Sequence, residues 1–399
     1  MTNKNNIPAG YKDSAVGIIP LEWEVKRLGL VCNFLDNQRV PIKDVDRLGM
    51  HGPYPYYGAS GIIDYVNDYI FDDELILLGE DGANIINRST PLAFMVEGKI
   101  WVNNHAHVLR PIEPNNRFYI CSYLESISYD KYNTGTAQPK LNREVCEKIL
   151  IPVPPMEEQR KIAEILGVWD EAIEKQSRLI EKLELRKRTL MQRLLTGRTR
   201  LPGFTTPWQK VKLGEICKEF VLRNTEDNDY IVLSCTKYNG LVSSLDYFGK
   251  QIFSDNLRTY KVVPKYHFAY ATNHIEEGSI GYQGSYDYAL ISPMYTVFKA
   301  DDTKVDNYFL YTLLKTPLMI YNYQSRIEGS IDRRGGLRWD AFAGITIELP
   351  YLPEQKAIAE VLTTADNEIA THRKKLDALR LQKRGLMQQL LTGKTRVKI

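Results

Sequence analysis

Apolar residues along 158–200 recur at alternating spacings of four and three. The series is Ile162, Leu166, Trp169, Ile173, Gln176, Ile180, Leu183, Lys187, Leu190 and Leu194, polar at only two places. It returns along 354–396 as Ile358, Leu362, Ala365, Ile369, His372, Leu376, Leu379, Lys383, Leu386 and Leu390. Such spacing predicts two long helices, each carrying a coiled-coil seam of about four heptads. Pro154, Pro155 and Pro353 mark their starts, and Gly197 and Gly393 their ends. At about 1.5 Å per residue, each helix is on the order of 55–60 Å long.

Elsewhere the apolar residues fall in short runs of strand composition, cut by Gly, Asn and Asp. Ile62-Ile63, Leu75–Leu78, Leu92–Val96 and Trp101-Val102 predict strands. A helix is expected near 117–128, and a last strand, Ile149–Val153, leads into the first long helix. Residues 230–350 repeat the plan, with strands at Tyr230–Ser234, Tyr266–Thr272 and Tyr295–Phe298, a helix near 306–323, and Gly344–Leu349 before the second long helix.

The two long-helix segments match without a gap, residue 159 on residue 355 and residue 196 on residue 392. Both open with Glu-Gln and close with Leu-Leu-Thr-Gly-(Arg/Lys)-Thr-Arg. The globular parts also begin alike, Trp23 to Cys32 matching Trp208 to Cys217. The expected fold is α+β: two similar α/β domains, 1–150 and 201–350, and two helical arms, 151–200 and 351–399. Charge predicts how the arms meet. Residues 156–174 carry six acids and two bases, whereas 175–200 carry nine bases and two acids. The second arm is polarised the same way, so an antiparallel pair sets acid beside base and suits both helix dipoles. This gives an intramolecular, pseudo-two-fold antiparallel coiled coil with Gln176 and His372 facing each other at its centre, as register-setting polar residues.

Composition adds limits. The 399 residues suffice for two or three cored domains. A net charge of +3 does not by itself indicate nucleic acid, so any basic surface must be local. The five cysteines form no C-x-x-C pair, which suits a reducing cytoplasm and no zinc site. No apolar run is long enough to span a membrane, and no signal peptide is visible.

These residues carry a resemblance. The Trp-x-x-x-x-Leu-Gly openings, the joints Ile-Pro-Val-Pro-Pro-Met-Glu-Glu-Gln-Arg (151–160) and Glu-Leu-Pro-Tyr-Leu-Pro-Glu-Gln-Lys (348–356), the Leu-Leu-Thr-Gly helix ends and the run 54–84 resemble the specificity subunit of type I restriction–modification systems. The resemblance implies that each globular domain is a target-recognition domain reading one half of a bipartite, asymmetric sequence in double-stranded DNA. It implies that the helices fix the gap between half-sites and dock two methyltransferase subunits, which bind S-adenosylmethionine. A motor-nuclease subunit using ATP and Mg would join for restriction. This chain would itself hold no cofactor or metal and catalyse nothing. In keeping with that, the sequence has no Asn-Pro-Pro-(Tyr/Phe) motif, no P-loop and no Gly-rich cofactor loop after a strand.

Base edges are read by Arg, Lys and small polar side chains on loops, and phosphates are held mostly by Lys and Arg. The first domain offers Tyr54, Tyr56 and Tyr57, then Asn84, Asn87 and Arg88, Asn103, Asn104 and His105, and Gln138 and Lys140. Each is also an ordinary turn or surface residue. The second domain offers Arg333, Arg334 and Arg338 around two glycines, with Lys237, Tyr238, Asn273, His274, Ser285 and Tyr286. On the helices, Ile165, Leu185, Val361 and Leu381 recur off the seam; they either widen the core stripe or form a second stripe for the methylating subunits.

Two further patterns point elsewhere. Asp81 with Glu97-Gly-Lys99 imitates a nuclease metal site, but Glu97-Gly98 reads as a hairpin turn and the second half has no counterpart. His105-Ala-His107 could set two metal ligands on one strand face, without a cysteine or carboxylate cluster to support them. The competing functions are a self-sufficient nuclease or methylase, and a coiled-coil scaffold that does not bind DNA.

Overall fold

A computed structural model describes residues 7–327 and 336–399. The chain is α+β and divides into two compact units. One runs to Arg178 and takes in Arg373–Ile399; the other is Leu179–His372. The long helices are Met156–Leu194 and Leu352–Leu390, so each contributes one part to each unit.

In the first unit, Cys32–Phe34, Ala106–Pro111, Leu75–Gly79 and Ala93–Val96 form a four-stranded antiparallel sheet in that order. Leu75–Gly79 is buried throughout, which explains its unbroken apolar run. A second sheet orders Gly61–Val66, His51–Gly58, Lys99–Val102 and Phe71–Asp72, with Trp101 paired in parallel to Tyr56. The expected hairpin at Glu97-Gly98 is absent. Ala93–Val96 and Lys99–Val102 lie in different sheets, and Gly98, at φ 72°, instead exchanges backbone bonds with Asp73. Helix Arg117–Ser126 starts at Asn116, whose side chain accepts from Tyr119 N–H at 2.9 Å.

In the second unit the matching sheet is Cys217–Glu219, Tyr295–Ala300, His267–Ala271 and Ile280–Gln283. Two further pairs, Leu233–Thr236 with Gly240–Ser243 and Lys261–Pro264 with Tyr288–Ile291, replace the other sheet. The single helix expected near 306–323 is two, Asn307–Leu314 and Pro317–Gln324. Pro317 lacks an N–H to continue the first helix and opens the second, capped by Thr316.

Each unit closes its core with both long helices. The first core joins Trp23, Tyr119 and Ile151 to Ile162 and Leu166 of one helix and Leu390 and Leu391 of the other. The second joins Phe298, Phe309 and Phe342 to Ile358 and Leu362, and to Leu194 and Leu195. The helical parts run antiparallel within each unit, and their ion pairs recur 196 positions apart. Asp170 pairs with Lys383 in the first unit and Asp366 with Lys187 in the second. Gln176 is buried and His372 half-buried.

The terminal motifs explain each other. Glu158 is fully buried and accepts from Arg396 Nε at 2.7 Å, Arg396 Nη2 at 2.9 Å and Trp23 Nε1 at 2.9 Å. In the second unit Arg200 forms the same fork on Glu354. Gln159 and Gln355 hold the joints: Gln159 bridges Asn116 N–H and Pro154 O, and Gln355 bridges Asp306 N–H and Pro350 O. Thus the Glu of Glu-Gln at one helix start meets the Arg of Thr-Arg at the other helix end.

Candidate nucleic-acid interface

In the first domain, three loop segments converge beside the end of strand Leu75–Gly79. Glu80 N–H donates to His105 O at 2.8 Å, Leu141 N–H to Glu80 O at 2.7 Å, and Gly82 N–H to Pro139 O at 3.1 Å. Asn104, His105, Gln138 and Lys140 are exposed on this edge, and Asn103 is buried beneath them, its Oδ1 accepting from His105 N–H. An ionic network backs the loops. Arg39 donates to Glu80 at 2.7 Å and Ala106 O at 2.8 Å, and Lys140 lies 3.4 Å from Glu80. His105 Nδ1 sits 2.8 Å from Asp81.

His107 anchors the network. Its Nδ1 is 2.7 Å from Asp36 and its Nε2 is 2.8 Å from Leu141 O, so both nitrogens face acceptors. That arrangement requires the imidazolium. Burial opposes the charge, but the bonds to Asp36 and Cys146 outweigh it and raise the His107 pKa to about 10. His107 is therefore a structural cation and not a metal ligand, and it does not act as a pair with the half-exposed His105.

The other first-domain candidates are engaged in packing or local contacts, and Tyr57 O accepts from Asn103 N–H at 3.0 Å. Tyr56 is 1% exposed, with its hydroxyl accepting from Ile42 N–H, and belongs to a core cluster with Val66 and Trp101. Tyr57 is half-buried against Phe94. Tyr54 packs edge-on to Tyr69, and Lys99 lies over both rings at 5.9 and 4.7 Å, a cationic aromatic group that sequence reasoning missed. Asn84 uses its side chain to hold Ser89 to Pro91. Asn87 is exposed. Arg88, in the left-handed conformation, pairs with Glu125 at 2.8 Å and covers the Tyr129 ring. The nuclease-like trio does not assemble: Asp81 faces His105, Glu97 approaches Arg117, and Lys99 covers the tyrosines.

In the second domain, Asn273 and Arg338 line one polar cleft with Lys261, Thr272, Tyr295 and Thr296. Lys261 was not singled out from sequence, because a lysine at a strand start carries no motif. Lys237 and Tyr238 are exposed at the turn between Leu233–Thr236 and Gly240–Ser243. His274 is exposed on a short turn, 3.7 Å from Glu277. Ser285 and Tyr286 lie towards the other end of the sheet, where their N–H groups donate to Gln283. Arg333 and Arg334 lie outside the described residues.

On the helices the off-seam residues split. Ile165 and Val361 pack against the globular cores, whereas Leu185 and Leu381 are exposed. Leu185 lines a shallow groove with Lys182, Arg186, Thr189, Leu190 and Arg193. Four of the five cysteines carry no mark of a nucleophile. Burial pushes the thiols of Cys32, Cys121, Cys217 and Cys235 up to about 12. No helix among the described residues is long and apolar enough to cross a membrane.

Comparison with known proteins agrees with this architecture. The type I restriction enzyme MjaVIII specificity subunit of Methanocaldococcus jannaschii is 27% identical over 95% of this chain and 94% of its own length. A putative type I specificity subunit of Haemophilus influenzae, S.HindORF215P, is 37% identical over 37% of this chain and 36% of its own length. The crystal structure of the type I restriction–modification S subunit from M. genitalium shares the fold at a TM-score of 0.55 and 14% identity, covering 92% of this chain and 96% of that one. Residues 20–185 and 206–381 both match the type I restriction modification DNA specificity domain, and the chain belongs to that family of non-catalytic DNA-recognition subunits.

Proposed function

We propose that the first domain reads one half of a bipartite, asymmetric target in double-stranded DNA and the second domain reads the other. Two helical arms fix the gap between the half-sites and carry two methyltransferase subunits, with exposed Leu185 and Leu381 among the docking residues. S-adenosylmethionine belongs to those subunits, and ATP and Mg to a motor-nuclease subunit. The assembly works in the cytoplasm, beside the chromosome. The observation that carries this reading is a shared frame with unlike edges. Leu141 N–H on Glu80 O is repeated by Leu337 N–H on Thr272 O, yet the side chains around the two bonds differ in charge and size. Asn104, His105, Gln138 and Lys140 are the first reader edge, and Asn273 and Arg338 belong to the second.

The test exchanges residues 81–84, 103–105 and 138–140 for those of a relative, then maps methylated adenines across the host genome. One half-site should change while the other half-site and the gap persist. Changes in both half-sites would refute the assignment of one reader to each domain.

A further inference from the structure

The two domains share a frame, so the same place can be compared in each. Register fixes the equivalences. Leu78 pairs with His107 as Tyr270 pairs with Thr296. Leu141 N–H meets Glu80 O as Leu337 N–H meets Thr272 O, and Leu35 N–H meets Val108 O as Phe220 N–H meets Val297 O. It follows that Asp36, Glu80, Asp81, His107 and Lys140 of the first domain stand where Val221, Thr272, Asn273, Thr296 and Gly336 stand in the second.

The exchange removes every charge at these five positions, three acidic and two basic. In the first domain this place is filled by salt bridges, with Arg39, His107 and Lys140 answered by Asp36 and Glu80, and His105 by Asp81. In the second domain each of the three carboxylates has given way to a neutral residue. A cleft of about 450 Å³ remains, with two cations, Lys261 and Arg338, and no carboxylate among the described residues that line it. The Lys261 ammonium donates to Tyr295 O, which leaves two N–H groups for a ligand. Burial, helped by nearby Arg223 and opposed by Glu219, lowers the Lys261 pKa, so an anion in the cleft would relieve an existing cost. Arg338 is exposed and forms no salt bridge within the described residues. Thr272, Asn273 and Thr296 add polar groups to the walls.

We propose that this cleft is a phosphate-binding site, in which Lys261 and Arg338 hold one backbone phosphate of the DNA while the first domain keeps the equivalent place closed by its own ion pairs. This rests on the reading that the second domain binds DNA. A phosphate contact positions the duplex without reading sequence, so its signature is uniform loss and a smaller salt dependence.

The full-length chain, affinity-purified from its host with the subunits that accompany it, is titrated against two labelled duplexes across a NaCl series. One duplex is a random-sequence pool; the other carries the motif found by methylation mapping. Lys261→Met and Arg338→Gln should each weaken both duplexes by a similar factor, about ten-fold at low salt, and lower the slope of log K against log salt by about one. Lys261→Arg, which keeps the charge, should retain the slope. Loss confined to one base pair of the motif overturns the phosphate assignment in favour of base reading. Variants that match the parent on both duplexes overturn the site while leaving the DNA reading intact. A parent that binds neither duplex sinks both. Because Arg338 is exposed, its variant tests the site even if Lys261→Met unfolds.

Discussion

Removing Arg396 should open the first unit at the joint between its globular part and both helices. Glu158 is fully buried, and its three close donors are Arg396 Nε, Arg396 Nη2 and Trp23 Nε1. Arg396→Ala deletes two of them and leaves a buried carboxylate with one neutral partner. Breaking a buried ion pair from one side costs about 3–5 kcal/mol, because the remaining charge keeps its desolvation penalty. The arginine also bonds Glu22 at 2.9 Å, but that contact is exposed and adds little. The assay is amide hydrogen exchange by mass spectrometry, read on peptides covering 156–166 and 385–395. About 3 kcal/mol corresponds to exchange faster by about a hundred-fold or more, if these segments open together. Glu158→Gln with Arg396→Met removes both charges, keeps an acceptor for Trp23, and should restore most of the protection. Exchange within three-fold of the parent in Arg396→Ala, or no rescue in the double variant, would refute the reasoning.

Two other outcomes follow from the same unit and its repeat. The His107 pKa is raised in the folded chain to about 10, above its ordinary 6.5, so its contribution is full below about pH 6.5 and is lost as pH rises through 10. His107→Gln should cost about 3 kcal/mol near pH 6.5, and its denaturation midpoint should converge on the parent's towards pH 10; parallel curves across that range would contradict the imidazolium assignment. Gly393 and Gly197 end their helices at φ 69° and 67°. An alanine Cβ at 393 would lie 2.4 Å from Pro20 Cδ, whereas at 197 its nearest neighbour is 3.5 Å away in Trp208. Both substitutions incur about 1–2 kcal/mol of left-handed strain, and Gly393→Ala adds about 1–3 kcal/mol of overpacking. Equal thermal shifts for the two variants would count against the close approach.

What could be read from the chain follows from the range of each interaction. The long helices were legible because their seam repeats locally, and opposed charge halves anticipated pairs such as Asp170 with Lys383. Strand composition placed Leu75–Gly79 and Ala93–Val96, but alternation does not name a partner, so the turn at Gly98 was assigned to the wrong pair of strands. Tyr56 is buried although it sits between Tyr54 and Tyr57 in a Pro/Gly-rich run; the parallel pairing with Trp101 decides this, and that contact is 45 positions away. His107 and Asp36 are 71 positions apart, and nothing in either neighbourhood announces an ion pair.

The terminal motifs show the same limit from the other side. Glu-Gln and Thr-Arg were visible as repeated words, but their meaning is reciprocal: each word at one helix start is completed by the other word at the opposite helix end. The same separation of scales governs the proposed reader edges. Backbone bonds such as Leu141 to Glu80 O and Leu337 to Thr272 O use main-chain atoms, so they survive any change of side chain. The side chains beside them are then free to differ, as Asp36, Glu80 and Asp81 differ from Val221, Thr272 and Asn273. A frame held by main-chain bonds and by helix-end ion pairs remote from the edge can accept either a closed ionic network or an open cationic cleft at the same place. That independence lets a chain with two copies of one frame present two unlike surfaces.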